Sequence, residues 1–184
     1  MPEPEKKVTY YGFTGVIDSS GVTRICQALN IAVNNGVDSI YFCLSSLGGY
    51  VADGIYLYNH IRGLPVEVIF HATGTVASIA TAIFVAADTR YCSANAMFMM
   101  HPTTVGPFAE GIPAGRLQSA LDSATADDER TERIMRDRTK LSDEILGARR
   151  VREVNLSAKD ALEFGLVHDV REFTVPLGSE IVQL

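Results

Sequence analysis

The sequence predicts an α/β fold made of repeated βαβ units on a largely parallel sheet. Two observations carry this. Strand-like and helical segments alternate through tight turns, the pattern of right-handed crossovers. The strand-like segments are apolar throughout, as expected where helices cover both faces of a sheet. With 184 residues, 47% hydrophobic and 21% charged, the chain is expected to form one domain, residues 1–184, with irregular tails at 1–7 and 172–184.

Val8 to Phe13 is β-rich, and Asp18-Ser19-Ser20-Gly21 supplies a turn and a helix cap. Val22, Ile25, Cys26, Leu29, Ala32 and Val33 recur at helical spacing until Asn34-Asn35-Gly36 ends the helix. Ser39 to Leu44 suits a buried strand, Ser45 to Gly49 a tight connection, and Val51 to Arg62 a helix stopped by Gly63-Leu64-Pro65. Val66 to Ala72 reads as a second buried strand, Gly74 to Ala77 as a turn, and Ser78 to Ala87 as a helix apolar on all sides. Strand-like pieces at Arg90 to Cys92 and Ala96 to Met100 lead to His101. Pro102 to Pro113 is a loop. Ala114 to Lys140 is a long polar helix that keeps only Leu117, Leu121, Ile134 and Met135 as large apolar residues. Such a helix lies on a solvated surface or packs on another subunit. Ser157 to Gly165 is a short capped helix, Leu166 to Val170 a last strand, and the tail after Arg171 irregular.

The net charge of −6, with no continuous Lys/Arg stripe, argues against nucleic-acid binding. Cys26, Cys43 and Cys92 sit among apolar neighbours without CxxC spacing, so they read as buried free thiols in a reducing compartment, not as disulfides or a metal site. Met1 to Lys7 is not followed by the apolar stretch of a secretion signal. The most apolar region, Val66 to Ala87, is too interrupted to span a bilayer. A soluble cytoplasmic protein is expected, without membrane contact.

Ligands of such sheets bind beyond the carboxyl ends of the strands. Gly48-Gly49, Gly74 to Ser78 and His101 all fall at those ends, so three segments should converge there. A serine before a helix is ordinarily an N-cap, and a histidine between Met100 and Pro102 is ordinarily a packed residue. Their shared sheet end turns both readings toward chemistry. His71 is the competing imidazole and reads as structural; His60 and His168 have no assigned part.

Ser46-Leu47-Gly48-Gly49, Gly74-x-x-Ala77-Ser78, Met99-Met100-His101-Pro102 and Leu156-Ser157-Ala158-x-x-Ala161-x-x-x-Gly165-Leu166-Val167 together resemble the Clp-type proteolytic subunit. That family comprises self-compartmentalised serine peptidases of the ClpP/crotonase fold, and the resemblance runs from about Tyr10 to about Val170. It implies repeated β-β-α units with a projecting helical region at about 114–146. It also implies Ser78 as nucleophile, His101 as general base, and the N–H groups of Gly49 and Ile79 as oxyanion hole. The residues after Gly49 would pair with an extended substrate, a peptide or unfolded protein with an apolar residue before the cut, as an added strand.

The family places Asp where this chain has Glu153. Glu153 is the expected third member, with Asn155 as fallback, and a surface carboxylate beside Arg149, Arg150 and Arg152 as the ordinary reading. Leu47 stands where the family usually has Pro, which would loosen the turn. Because the first strand begins near Val8, most of the N-terminal region that forms axial pores and docks an ATPase is expected to be missing. Peptide hydrolysis is therefore a firmer expectation than ATP-driven degradation. The family assembles as stacked heptameric rings served by an AAA+ ATPase. This chain has no phosphate-binding Gly-x-x-x-x-Gly-Lys-Ser/Thr segment, and no cofactor or metal is expected. The alternatives are a non-catalytic ring subunit and a crotonase-type acyl-CoA enzyme.

Overall fold

The computed structural model describes residues 6–106 and 111–184. The expected irregular start at 1–5, and Pro107 within the expected loop, lie outside the described residues. The elements are β1 (Val8–Thr14), α1 (Ser19–Asn34), β2 (Ser39–Ser46), α2 (Val51–Arg62), β3 (Glu67–Ala77), α3 (Ile79–Phe84), β4 (Thr89–Cys92), β5 (Met97–Met100), α4 (Ala114–Arg138), α5 (Asp143–Ala148), β6 (Val154–Ser157), α6 (Ala158–Glu163), β7 (Asp169–Val170) and β8 (Ile181–Gln183). The strands form one sheet in the order β6-β5-β3-β2-β1-β8, with β4 pairing β3 and β7 off that path. Every described pairing is parallel except that of β5 with β6.

Helix α1 starts where its capping residue says it should. The Asp18 carboxylate accepts from the Gly21 N–H at 2.7 Å, and Gly36 leaves the helix at φ +67°. Its predicted apolar positions are buried, Val33 excepted. Phe13, Phe42, Phe70, Phe84 and Phe98 are all fully buried, and the last four run through the core as successive tilted or edge-on ring pairs.

Five expectations are corrected. The sheet is not covered equally on both faces, because along β2 buried Ile40, Phe42 and Leu44 alternate with half-exposed Tyr41 and Cys43. Gly74 to Ala77 is not a turn but the upper part of β3. That strand pairs β4 at Ile69–Ala72 and then β5 at Thr75–Ala77, with a bulge against β2 between Leu44 and Ser46. A Cβ at Gly74 would lie 2.7 Å from Ser45 Oγ, so a larger residue there would push the serine hydroxyl aside. The buried helix is shorter than 78–87; it stops at Phe84, although Val85, Ala86 and Ala87 stay buried.

Leu166 to Val170 is mostly not strand. The Leu166 and Val167 N–H groups both return to the Ala161 carbonyl, with Gly165 at φ +69°, which closes α6 and leaves only Asp169–Val170 extended. Finally, the tail is not wholly irregular, because β8 pairs with β1 from Tyr10↔Ile181 to Gly12↔Gln183. It satisfies backbone groups that an edge strand would leave open. Helix α4 is exposed along its first six residues and buries Ala124, Thr131, Glu132 and Met135 further on, consistent with a projecting N-terminal half.

Candidate active site

Strands β3 and β5 run side by side with Ala77 opposite Met99. The chain therefore delivers Ser78 and His101 to the same end of the sheet, one and two residues beyond that pair. Ser78 lies at φ +57°, ψ −132°, the one non-glycine residue with positive φ among the described residues. Such a conformation costs about 1–3 kcal/mol and persists only where neighbours enforce it. They do so here. The Ser78 N–H donates to the Met99 carbonyl at 2.8 Å, while the Ser78 carbonyl accepts from the Thr81 N–H and hydroxyl at 3.0 and 2.7 Å.

Although Ser78 occupies the N-cap position of α3, its hydroxyl makes no capping bond. The ordinary reading of this serine is thereby set aside. The hydroxyl is held beside the strand end by backbone and not used by it.

The Gly48-Gly49 turn closes over Ser78. A Cβ at Gly48, which sits at φ +99°, would lie 2.6 Å from Ser78 Cβ and 2.9 Å from the Ala77 carbonyl. A Cβ at Gly49 would lie 2.1 Å from the Ile17 carbonyl oxygen. Ile17 donates to the Gly48 carbonyl and accepts from the Tyr50 N–H, and this parallel bridge turns the Gly49 N–H away from Ile17. Ser46 pins the turn from below, donating to the Gly15 carbonyl at 2.6 Å and accepting from the Gly48 N–H at 3.1 Å. The Leu47 side chain is 76% exposed and makes none of these contacts. Gly54 on α2 makes room for Ile79, whose Cγ1 lies 2.1 Å from where a Cβ would stand.

Gly49, Ser78, Ile79 and His101 line one cleft of about 470 Å³, with Thr103, Asp128 and Arg149 also in its wall. No hydrogen bond joins Ser78 Oγ to His101 among the described residues. The imidazole instead uses Nδ1 on the Pro102 carbonyl, at 2.6 Å. A carbonyl can only accept, so Nδ1 donates, and Nε2 is the nitrogen left over for a general base to use when the ring is neutral.

Neither expected third residue makes a hydrogen bond to His101 among the described residues. The β5–β6 pairing ends with Met100 opposite Val154, and His101 and Glu153 lie just beyond it. Glu153 is exposed there and its carboxylate makes no hydrogen bond among the described residues. Asn155 pairs opposite Met99 and is exposed as well. The neighbouring arginines face α4 instead, Arg150 on Glu132 at 2.7 Å and Arg149 on the Asp128 carbonyl and Thr131 hydroxyl at 2.7 and 2.8 Å.

Sequence reasoning missed Gly54, Thr81, Thr103, Asp128 and Arg149. The one available signal was the Pro-Thr-Thr segment after His101, whose hydroxyls need partners.

His71 does not line the cleft. It is buried, shares hydrogen bonds with the Tyr41 hydroxyl (2.8 Å) and Ser93 Oγ (3.3 Å), and burial, aided by Arg171, pulls its pKa down to about 4. The three cysteines are free, and burial pushes Cys43 up to about 12 and Cys92 to about 11. Among the described residues no cluster of His, Cys, Asp and Glu could hold a metal, and no helix is long and apolar enough to cross a membrane.

Residues 11–173 match the family model described as Clp protease. The chain is 31% identical over 176 residues to the ATP-dependent Clp protease proteolytic subunit 2 of Pseudomonas aeruginosa, covering 92% of this chain and 86% of that one. It is 27% identical over 159 residues to the proteolytic subunit 1 of Streptomyces avermitilis, covering 85% and 72%. Among solved structures, a ClpP1 mutant of Listeria monocytogenes superposes with a TM-score of 0.77 at 24% identity, over 91% of this chain and 92% of that one. The likeness shows a shared fold.

Proposed function

Because the chain belongs to the Clp protease family, we propose that it is a serine-type endopeptidase acting on peptides or unfolded polypeptides. Ser78 is the nucleophile, His101 the general base, and the Gly49 and Ile79 N–H groups the oxyanion donors. The observation that carries this is the strained, uncapped Ser78, held in the same cleft as an imidazole whose Nδ1 donates to a carbonyl.

The substrate lies along the Gly49–Val51 edge as an added strand. His101 Nε2 takes the proton of Ser78 Oγ as that oxygen attacks the scissile carbonyl carbon. The carbonyl π pair moves onto oxygen, and the resulting oxyanion accepts from Gly49 and Ile79. As the tetrahedral intermediate collapses, the C–N bond breaks and the imidazolium gives its proton to the leaving amine. Water, deprotonated by the same Nε2, then attacks the acyl carbon, and as the C–Oγ bond breaks the imidazolium returns the proton to Ser78 Oγ.

In this reading the imidazole is oriented by a peptide carbonyl, and Glu153 is assigned no contact. The subunits work as a homo-oligomer, two stacked heptameric rings by family likeness, in the cytoplasm. The exposed start of α4 is offered as the joining element, and an AAA+ partner as the source of ATP hydrolysis. The family match displaces the acyl-CoA reading.

A fluorophosphonate probe tests the site. It is expected to label Ser78 and no other serine, and Ser78→Ala is expected to abolish labelling and peptide cleavage with an unchanged elution volume. Labelling that persists in the variant excludes Ser78 as nucleophile.

A further inference from the structure

We propose that Asp128 positions and polarises His101 through the peptide unit that joins Pro102 to Thr103. The proposal rests on His101 as the base of the site described above. The carbonyl of Pro102 and the N–H of Thr103 belong to one planar, conjugated group. Its oxygen accepts from His101 Nδ1 at 2.6 Å, and its N–H donates to Asp128 Oδ1 at 2.9 Å. The Thr103 hydroxyl donates to the same Oδ1 at 2.8 Å. A carboxylate on the N–H draws positive charge toward the nitrogen and leaves the carbonyl oxygen more negative, because hydrogen bonds in series polarise one another. The imidazole therefore meets a strengthened acceptor at the atom where a Ser–His–Asp site places its acid. Asp128 is a positioning residue, one amide removed.

Asp128 is itself held. It lies on α4, and Arg149 reaches it from beyond α5. Arg149 is 5% exposed, donates to the Asp128 backbone carbonyl at 2.7 Å, and sits 3.9 Å from Oδ1. Its Nε is buried without a partner, so the buried cation depends on the nearby carboxylate. The other acids near His101 are otherwise disposed. Asp127 is paired with Arg130, and Glu153 is exposed without a hydrogen bond among the described residues.

The test compares Asp128→Asn, Thr103→Val and Glu153→Gln in the full-length assembled protein. Asparagine keeps an acceptor oxygen in place and removes only the charge. The first readout does not require turnover. It is the Nδ1–H proton of His101 in ring-15N-labelled protein, assigned by its loss in His101→Gln. The expected result is an upfield move of that proton in Asp128→Asn, a smaller one in Thr103→Val, and none in Glu153→Gln. The second readout is peptide cleavage. Asp128→Asn is expected to lower kcat roughly tenfold with KM nearly unchanged, the mark of an interaction made in the transition state, and Asp128→Glu to restore part of it. Should Asp128→Asn fail to fold, the proton shift in Thr103→Val decides alone.

An unmoved His101 proton in the Asp128 and Thr103 variants overturns the proposal. So does a shift seen only in Glu153→Gln, which would show a direct carboxylate. Failure of Ser78 as nucleophile is registered separately, by the fluorophosphonate probe, and leaves the proton measurement readable.

Discussion

His71 and His101 sit on neighbouring strands of one sheet and have opposite surroundings. His71 lies in the middle of β3, fully buried, with a hydroxyl at each ring nitrogen and its pKa drawn down to about 4 by burial. His101 lies just past the end of β5, half-buried, with one nitrogen spent on a carbonyl and the other in a cleft. The difference shows what separates a structural imidazole from a candidate base. The first has neither a spare nitrogen nor access to a substrate; the second keeps both. Nearness in sequence to Ser78, which favoured His71, counts for nothing.

The sharpest way to break this comparison is to delete each ring. His101→Ala is expected to lower kcat/KM by roughly 10³-fold or more, as loss of a general base does, with the melting temperature nearly unchanged. His71→Ala is expected to lower the melting temperature while the folded fraction keeps its turnover. Equal losses of activity from both, measured per folded molecule, would erase the distinction. A second substitution acts on the serine side. Gly48→Ala drives a methyl into Ser78 and is expected to cost about 10²-fold in kcat/KM, in keeping with displacement of a reacting group by an ångström. Wild-type rates in that variant would show that the turn does not confine Ser78.

The smallest effect sharpens the His71 side. Its folded-state pKa lies below the ordinary 6.5, so between about pH 6.5 and pH 4 the unfolded chain binds the extra proton. Stability from this residue is complete above 6.5 and is lost as pH falls toward 4, by up to roughly 3 kcal/mol. Melting temperatures recorded from pH 7.5 to pH 4 should fall less steeply in His71→Gln than in wild type. Parallel slopes would mean that His71 titrates normally.

Much of the site was legible from residue types at strand ends. Ser78, Gly48-Gly49 and His101 carry their chemistry in their side chains or in the lack of one, and parallel sheets gather strand ends. The relay through Asp128 was not legible, because a backbone carbonyl and a residue on a distant helix leave no motif. Gly54 was hidden for a related reason, since its requirement comes from Ile79 on another helix. Strands β6 and β8 escaped notice because runs of three or four residues are too short to show a period and become strands only when a neighbour offers an open edge. Glu153 was the residue most exposed to error. Its place in a familiar order of motifs is real, but it lies just beyond the last paired residues of β6 and its side chain is exposed.

The change of partner along β3 has one more consequence. Below Thr73 that strand belongs to a seam with β4; above Gly74 it is laced to β5. Hydroxyl and imidazole thus ride on the same pair of ribbons, whereas Gly49 is carried by the end of β2. Ser46, at that end of β2, pairs opposite Val76 on the same upper part of β3, so the turn that carries Gly49 is tied to the ribbons that carry Ser78 and His101. A distortion at the seam between β4 and β5 is therefore passed to all three walls of the cleft together.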